Sequence, residues 1–401
     1  MDFEILGIGQ DIRRLRECRG MTLDALAGHT GLGKGYLSKI ENGLVVVDRW
    51  ATLARIASAL RVSTVELGER QSLADRGCLD ARAALPEIRA ALLASSLDEP
   101  VASTRRTIDE LGEETTKVAA WHQDCHYAEA GRALPRLLTD LHAMAAAGGA
   151  DRPRALHSTV QATQTAALLA LLLGAADLAW LAADRGHEAA LRLDDPLLIA
   201  AAEYARTRVL IGLGAFEHAG LLARRAVELL RPRCDSEAAV EVYGTSLLTV
   251  ALCAALLGTG DPGEHLSEAA ATARRTSGSN AYFLAFSPLN VELWRVGVAL
   301  EAGDPLLAAE VAARVRPADI PVRSRRNAFL IDQARALHAL RNRDSDVVDL
   351  LVRAEKLAPV RTRRSVWARE IVAEVLQRAR RDAGGPELHS LADRMGLGRG
   401  G

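Results

Sequence analysis

Aromatic residues are scarce in this chain, with five each of Trp, Tyr and Phe among 401 residues, and proline is nearly as sparse at 13. Strands draw on β-branched and aromatic side chains, so this shortage, beside a surplus of Ala, Leu and Arg, argues for an all-α protein. The five cysteines (Cys18, Cys78, Cys125, Cys234, Cys253) are odd in number and widely scattered. That excludes a disulfide framework and points to reduced thiols in the cytoplasm. No secretory leader and no membrane span are expected. The longest apolar run, AALLALLLGAADLAWLAA, is broken by Gly174 and Asp177 and reads as two packed helices.

Charge of either sign is not in excess, since 50 Lys and Arg face 51 Asp and Glu. The distribution is uneven, however. Residues 8–67 hold nine basic and six acidic side chains, a net of +3, which leaves −4 for the remainder. Such a tilt keeps an anionic partner at the N-terminal segment without proving one. Catalytic signatures are missing too: no nucleophile elbow, no Cys–His arrangement and no Walker lysine occur. The loop GLGKG has no strand before it and Gly35 after its lysine, where a phosphate loop needs Ser or Thr. His122, Asp124, Cys125 and His126 cluster at an inter-helix turn with no second ligand pair, so a polar turn is expected there and not a metal site. Neither an enzyme nor a cofactor is expected.

What the chain does have is concentrated in Met21 to Gly43, MTLDALAGHTGLGKGYLSKIENG. Thr22 can cap a first helix, with Asp24 facing the positive end of its dipole. Leu23, Leu26 and Ala27 form its apolar side. GHTGLG breaks the periodicity, and Gly31 suits the left-handed backbone of a sharp turn. In the second helix Leu37 and Ile40 face inward, which leaves Lys34, Gly35, Tyr36, Ser38, Lys39 and Asn42 outward. A helix held by one apolar edge and presenting basic, hydroxyl and amide groups suits a major groove. The flanks continue the pattern with Ile8, Ile12 and Leu15 before it and Leu53, Ile56 and Leu60 after it. Ser63-Thr64-Val65-Glu66 then reads as a capping box opening a fifth helix.

This stretch resembles the helix-turn-helix of the lambda-repressor-like (XRE) regulators. The resemblance implies a five-helix DNA-binding domain over residues 1–68, with Thr22, Gly33, Lys34, Gly35, Tyr36, Ser38, Lys39 and Asn42 at the DNA. It also implies an ion pair between Arg16 and Glu41 that ties the first helix to the reading helix. One departure stands out: Leu23 occupies the place where the family usually has a polar residue, often glutamine, supporting a phosphate contact. Gly33 and Gly35 thin the reading surface as well, so fewer base contacts and more backbone and shape readout are expected. One small head offers few contacts, which predicts a homodimer on an inverted repeat in duplex DNA.

Residues 69–102 read as a linker, with a polar connector GERQSLADRG, a helix interrupted by Pro86 and a loop SSLDEPVAS. From Ser103 to about residue 385 the chain repeats. Turns begin at Cys125, Gly174, Gly214, Gly260, Gly303 and Arg343, with spacings of 49, 40, 46, 43 and 40 residues. Pro196, Pro232, Pro317 and Pro359 punctuate the ends of second helices. That period signals stacked helical hairpins, each burying its face against its neighbours. The pattern is similar to tetratricopeptide (TPR) repeats with lengthened helices, so a TPR-like α-solenoid is expected, closed by PELHSLADRMGL as a capping helix in residues 386–401 before a GRGG tail.

In TPR stacks the first helix of each pair lines the concave surface. Gln164, Tyr204 and Gln333 stand ten residues before their turns, Gln161 and Asn290 thirteen, and Arg208 six. Amides in register suit a peptide backbone, which needs a donor and an acceptor together. The stretch SNAYFLAFSPLNVELW reads as one helix, with Phe283, Phe286 and Trp294 either an apolar wall of that groove or core. The whole arrangement resembles the peptide-responsive regulators of bacteria, which implies a peptide or small-molecule effector. The alternative is a DNA-binding adaptor whose solenoid holds a protein such as RNA polymerase.

Overall fold

In a computed structural model, which describes residues 7–64, 67, 76–94, 97–99, 103–341, 343–382 and 385–397, every regular element among those residues is helical. In chain order these are α1 (Ile8–Cys18), α2 (Leu23–Thr30), α3 (Lys34–Glu41), α4 (Trp50–Ala59), α5 (Arg76–Arg82), α6 (Leu85–Ala94), α7 (Ile108–Gln123), α8 (Tyr127–Ala147), α9 (Arg152–Leu172), α10 (Ala176–Leu193), α11 (Pro196–Gly212), α12 (Phe216–Leu230), α13 (Glu237–Leu257) and α14 (Pro262–Ala273). There follow α15 (Pro288–Ala302), α16 (Pro305–Ala313), α17 (Arg323–Ala339), α18 (Asp344–Leu357), α19 (Pro359–Arg363), α20 (Val366–Asp382) and α21 (Pro386–Arg394). Most of GERQSLADRG, part of the Ser63–Glu66 box and the GRGG tail lie outside the described residues.

The chain forms two compact units. The first joins Met1–Cys78 to Arg295–Pro321 and Arg325–Gly401. Its N-terminal core is built from Ile8, Ile12, Leu26, Leu37, Ile40, Leu53, Ile56 and Leu60, all buried. These are the apolar positions of the 3.6-residue pattern on α1, α2, α3 and α4. A Cβ at Gly9 would lie 2.0 Å from the carbonyl oxygen of Ile40, so only glycine lets α1 approach α3 so closely. The C-terminal core of the same unit gathers Leu330, Val347, Leu351, Ile371 and Leu391 from α17, α18, α20 and α21.

The second unit comprises Leu79–Trp294 with Val322–Ser324. Its helices come in antiparallel pairs, α7/α8, α9/α10, α11/α12 and α13/α14, each packed on the next, and the first helices α7, α9, α11 and α13 also pack on one another. Left-handed backbone falls in or beside the turns that join each pair, at Cys125 (φ 63°), Gly174 (φ 87°), Gly214 (φ 82°) and Gly260 (φ 68°). The pairs α15/α16 and α17/α18 show the same at Gly303 (φ 85°) and Arg341 (φ 53°). Among the described residues the chain thus has a helical head carrying α1 to α4 and a helical, solenoid-like C-terminal part. Helix α6, in the segment read as a linker, buries Leu85, Ile88, Ala91 and Leu92 and packs on α8.

The run at 166–183 forms two packed helices, the end of α9 and the start of α10. Among the described residues α13 is long and apolar enough to cross a membrane, and 83% of its apolar 18-residue stretch is buried as in a core helix. One expectation needs correction: the stretch SNAYFLAFSPLNVELW is not one helix. Helix α15 starts only at Pro288, and before it Asn280, Tyr282, Phe283 and Ala285 take left-handed φ values of 61°, 50°, 57° and 59°. Each such non-glycine residue costs on the order of 1–3 kcal/mol and persists only where its surroundings enforce it.

Candidate functional site

The turn between α2 and α3 is built by local rules. The Thr22 hydroxyl accepts from the Ala25 amide at 3.1 Å and caps α2. Gly31 closes that helix in the left-handed conformation (φ 65°). Gly33 stands at the N-cap of α3 and offers no side chain, so the first amides of α3 keep their partial positive charge uncapped. An anion can take them.

Leu37, Ile40 and Glu41 are the buried residues of α3. Thr22, Gly33, Lys34, Gly35, Lys39 and Asn42 are exposed, and Tyr36 and Ser38 are half-buried. All eight residues assigned to DNA therefore share the surface formed by the start of α2 and the outer side of α3. Two contacts occupy that surface. Lys34 pairs with Asp24 at 2.7 Å, both well exposed at 58% and 70%. The Asn42 amide donates to the Ser38 carbonyl at 2.7 Å, turning its NH2 back onto α3.

Beneath this surface Arg16 and Glu41 form a two-pronged pair, Nε to Oε1 at 2.7 Å and Nη2 to Oε2 at 2.9 Å. Arg16 also donates from Nη1 to the Met21 carbonyl at 2.8 Å, so one guanidinium joins α1, the entry to α2 and the end of α3. The bond to Glu41 raises the Arg16 pKa above its ordinary value, against the opposing effect of burial.

Residues that the sequence pattern did not single out anchor the head within its own unit. The Ile8 amide, first in α1, donates to Glu370 Oε1 at 2.7 Å. The Trp50 amide, first in α4, donates to Glu301 Oε2 at 2.8 Å. Arg335 holds Glu301 at 2.8 Å and the Asp48 carbonyl at 2.9 Å, and lies 4.3 Å over the Trp367 ring. Trp367 in turn meets Trp50 edge to face at 5.6 Å. The one sequence signal for these contacts is negative: Gly7 and Arg49, at the two N-caps, supply no side-chain cap.

In the second unit the register residues are not on an open groove. Gln164 is 6% exposed and Tyr204 8%, while Gln161 and Arg208 are half-buried. Segment 276–287 explains the cover over Gln164. Gln164 Nε2 donates to the Tyr282 carbonyl at 2.8 Å, and Gln123 Nε2 to the Phe283 carbonyl at 2.7 Å. His157 stacks on the Tyr282 ring with centroids 5.8 Å apart. Glu241 accepts from the Ala281 amide at 2.6 Å and from the Thr276 and Ser279 hydroxyls at 3.0 and 2.9 Å. Glu237 accepts from Thr276 and Ser277. Phe286 corrects its assignment to a groove wall. It is fully buried, and a Cβ on Gly244 would lie 2.0 Å from its ring, so it is a core residue seated on α13. Trp294 is buried as well, Phe283 is half-buried, and Gln333 belongs to the first unit. Asn290 is 4% exposed, and neither its Nδ2 nor its Oδ1 has a hydrogen-bond partner.

At the His122–His126 cluster the structure shows a turn: His122 packs edge-on against Tyr127 at 5.5 Å, and the Tyr127 hydroxyl donates to Cys125 Sγ at 3.4 Å.

Comparison with known proteins matches residues 8–69 to a family described as a helix-turn-helix domain. Two Bacillus subtilis proteins, the uncharacterized HTH-type transcriptional regulator RghRB and the HTH-type transcriptional repressor RghR, are each 39% identical over 54 residues. Those matches cover 14% of this chain and 39% and 40% of the relatives, so the chain spans about two-fifths of their length. Among solved structures, that of Bacillus thuringiensis PlcR in complex with the peptide PapR7 and DNA covers 73% of this chain and 98% of its own, at 14% identity and a TM-score of 0.27. Residues 8–69 are a helix-turn-helix domain, joined to an all-helical body.

Proposed function

We propose that this chain is a cytoplasmic transcriptional regulator that binds duplex DNA as a homodimer on an inverted repeat and senses a peptide or small molecule in its helical body. The observation that carries the DNA reading is the surface of α2 and α3, where exposed Lys34 stands at the uncapped amides of α3 and exposed Lys39 in its last turn, in a segment matching a helix-turn-helix domain. The amides take phosphate and the outer residues of α3 reach the groove. For the body, the supporting observation is that Gln123 and Gln164 hold main-chain carbonyls, which is the chemistry of peptide recognition.

The test is a Lys34→Ala/Lys39→Ala double variant titrated on its operator across a range of salt. Each lost phosphate contact should reduce the slope of log K against log salt by about 0.9. Half-sites should lie roughly 34 Å apart, or a multiple of that. Unchanged affinity and slope in the double variant would reject α3 as the reading helix.

A further inference from the structure

Segment 276–287 is held across the first helices of the second unit as a ligand would be. We propose that this strap is a resident occupant of the peptide site, and that the molecule which replaces it is a linear peptide carrying an aromatic residue and a basic group. The inference rests on the effector-sensing reading for the role of that peptide, though not for the existence of the site.

Three features support it. First, three of the contacts that hold the strap go to its backbone at Ala281, Tyr282 and Phe283. Gln164 and Gln123 donate to the carbonyls of Tyr282 and Phe283, and Glu241 accepts from the amide of Ala281. Backbone contacts do not read sequence, so another peptide can make the same three. Side chains add the His157 stack on Tyr282, which any aromatic residue can supply, mutual bonds between Asn280 and Gln123, and the Thr276, Ser277 and Ser279 hydroxyls on Glu237 and Glu241.

Second, the occupant is held in a poor conformation. Asn280, Tyr282, Phe283 and Ala285 are all left-handed, a state that non-glycine residues leave when released. A free peptide able to make the same bonds from extended backbone avoids that strain and gains over the strap.

Third, the site keeps recognition groups that the strap leaves unused. Glu237 and Glu241 accept only from amides and hydroxyls, and no cation pairs with either among the described residues. A basic ligand adds an ion pair there, of greater strength where Glu241 is buried. Asn290, three residues past the strap, keeps an unmatched donor and acceptor, the pair that a peptide group matches.

The strap is tethered at both ends, so it competes at an effective concentration on the order of millimolar. The probe is a labelled synthetic peptide of the strap's own sequence, SGSNAYFLA (Ser277–Ala285), with blocked ends. In a full-length protein whose residues 277–285 are replaced by a Gly/Ser segment of equal length, the peptide should bind at least tenfold more tightly than to the unaltered protein. Adding Gln164→Leu to that variant should weaken binding at least tenfold. If the replacement fails to fold, a site-specific protease sequence inserted after Gly278 permits folding first and cutting afterwards. The cut protein should then take up the peptide more tightly than the uncut one.

A folded replacement variant, or a cut protein, that binds the peptide no better than its parent overturns the proposal. DNA affinity measured in the same samples separates the two readings. Peptide binding with unchanged DNA affinity upholds the occupant and refutes effector sensing, whereas absent peptide binding refutes the occupant whatever the DNA does.

Discussion

Replacing Arg16 with Met should loosen the head by about 3–5 kcal/mol, the range for removing one partner of a buried ion pair. The side chains are 12% and 4% exposed, so neither charge is screened by bulk water. Both oxygens of Glu41 are bound by the same guanidinium, and the variant leaves them without it. Glu41 also ends α3, where the helix dipole is negative and an unpaired carboxylate is disfavoured further. The Met21 carbonyl loses a donor at the same stroke, worth roughly 1 kcal/mol. Removing both charges is a different case: Arg16→Met with Glu41→Leu leaves no buried charge, and such replacements are often nearly neutral.

Native-state hydrogen exchange in the intact protein reads this directly, because the amides of α1 and α3 report opening of the head alone. At 1.4 kcal/mol per factor of ten, 3 kcal/mol corresponds to exchange faster by roughly a hundredfold. The double variant should return most of that protection. Exchange within about threefold of the parent in Arg16→Met, or no recovery in the double variant, refutes the argument that an uncompensated Glu41 is the cost.

Two further outcomes follow from the same geometry. Burial pushes the Glu370 carboxyl up to about 7, against the opposing pull of its bond to the Ile8 amide. Between the ordinary value of 4.5 and about 7 the folded protein holds a proton that the unfolded chain has released, so stability should fall as pH rises through that window, by about 3 kcal/mol, and level off above it. Denaturation of the parent and of Glu370→Gln across pH 4 to 8 checks this, and an identical slope in both would remove Glu370 as the source. At the proposed DNA surface Asp24→Asn frees Lys34 and deletes a negative charge beside the uncapped amides, so operator affinity should rise and the salt slope should steepen; weaker binding in filter or fluorescence titrations would show that Asp24 positions Lys34 and does not compete for it.

The helix-turn-helix was legible because its signals are local. Thr22 caps within three residues and Gly31 closes α2 by its own conformation. The repeat turns were legible for the same reason, since left-handed positions call for glycine at Gly174, Gly214 and Gly303. What stayed hidden is held by partners distant in sequence. Nothing near Ile8 or Trp50 announces that Glu370 and Glu301, 362 and 251 residues apart from their amides in sequence, will receive them. The strap misled for a related reason. Ala281 to Phe286 has ordinary helix formers, and the bonds to Gln123, Gln164 and Glu241 override that preference. Register found Gln164 but not Gln123, which stands two residues before its turn and not ten.

The anchoring of the head bears on how the proposed regulator can respond to a ligand. Helices α1 and α4 each begin on a carboxylate from the C-terminal part of their unit, so their first turns are complete only while Glu370 and Glu301 are in place. Gly9 and the Arg16–Glu41 pair fix α3 to α1, so whatever orients α1 orients the proposed reading helix. Glu301 itself lies in the last turn of α15. A ligand shifts a two-state equilibrium only through a difference in affinity for the two states. Under the proposed function, a state in which Glu301 or Glu370 withdraws from these amides differs from the present one at the first turns of α4 and α1, and a ligand acts on the head only through such a difference.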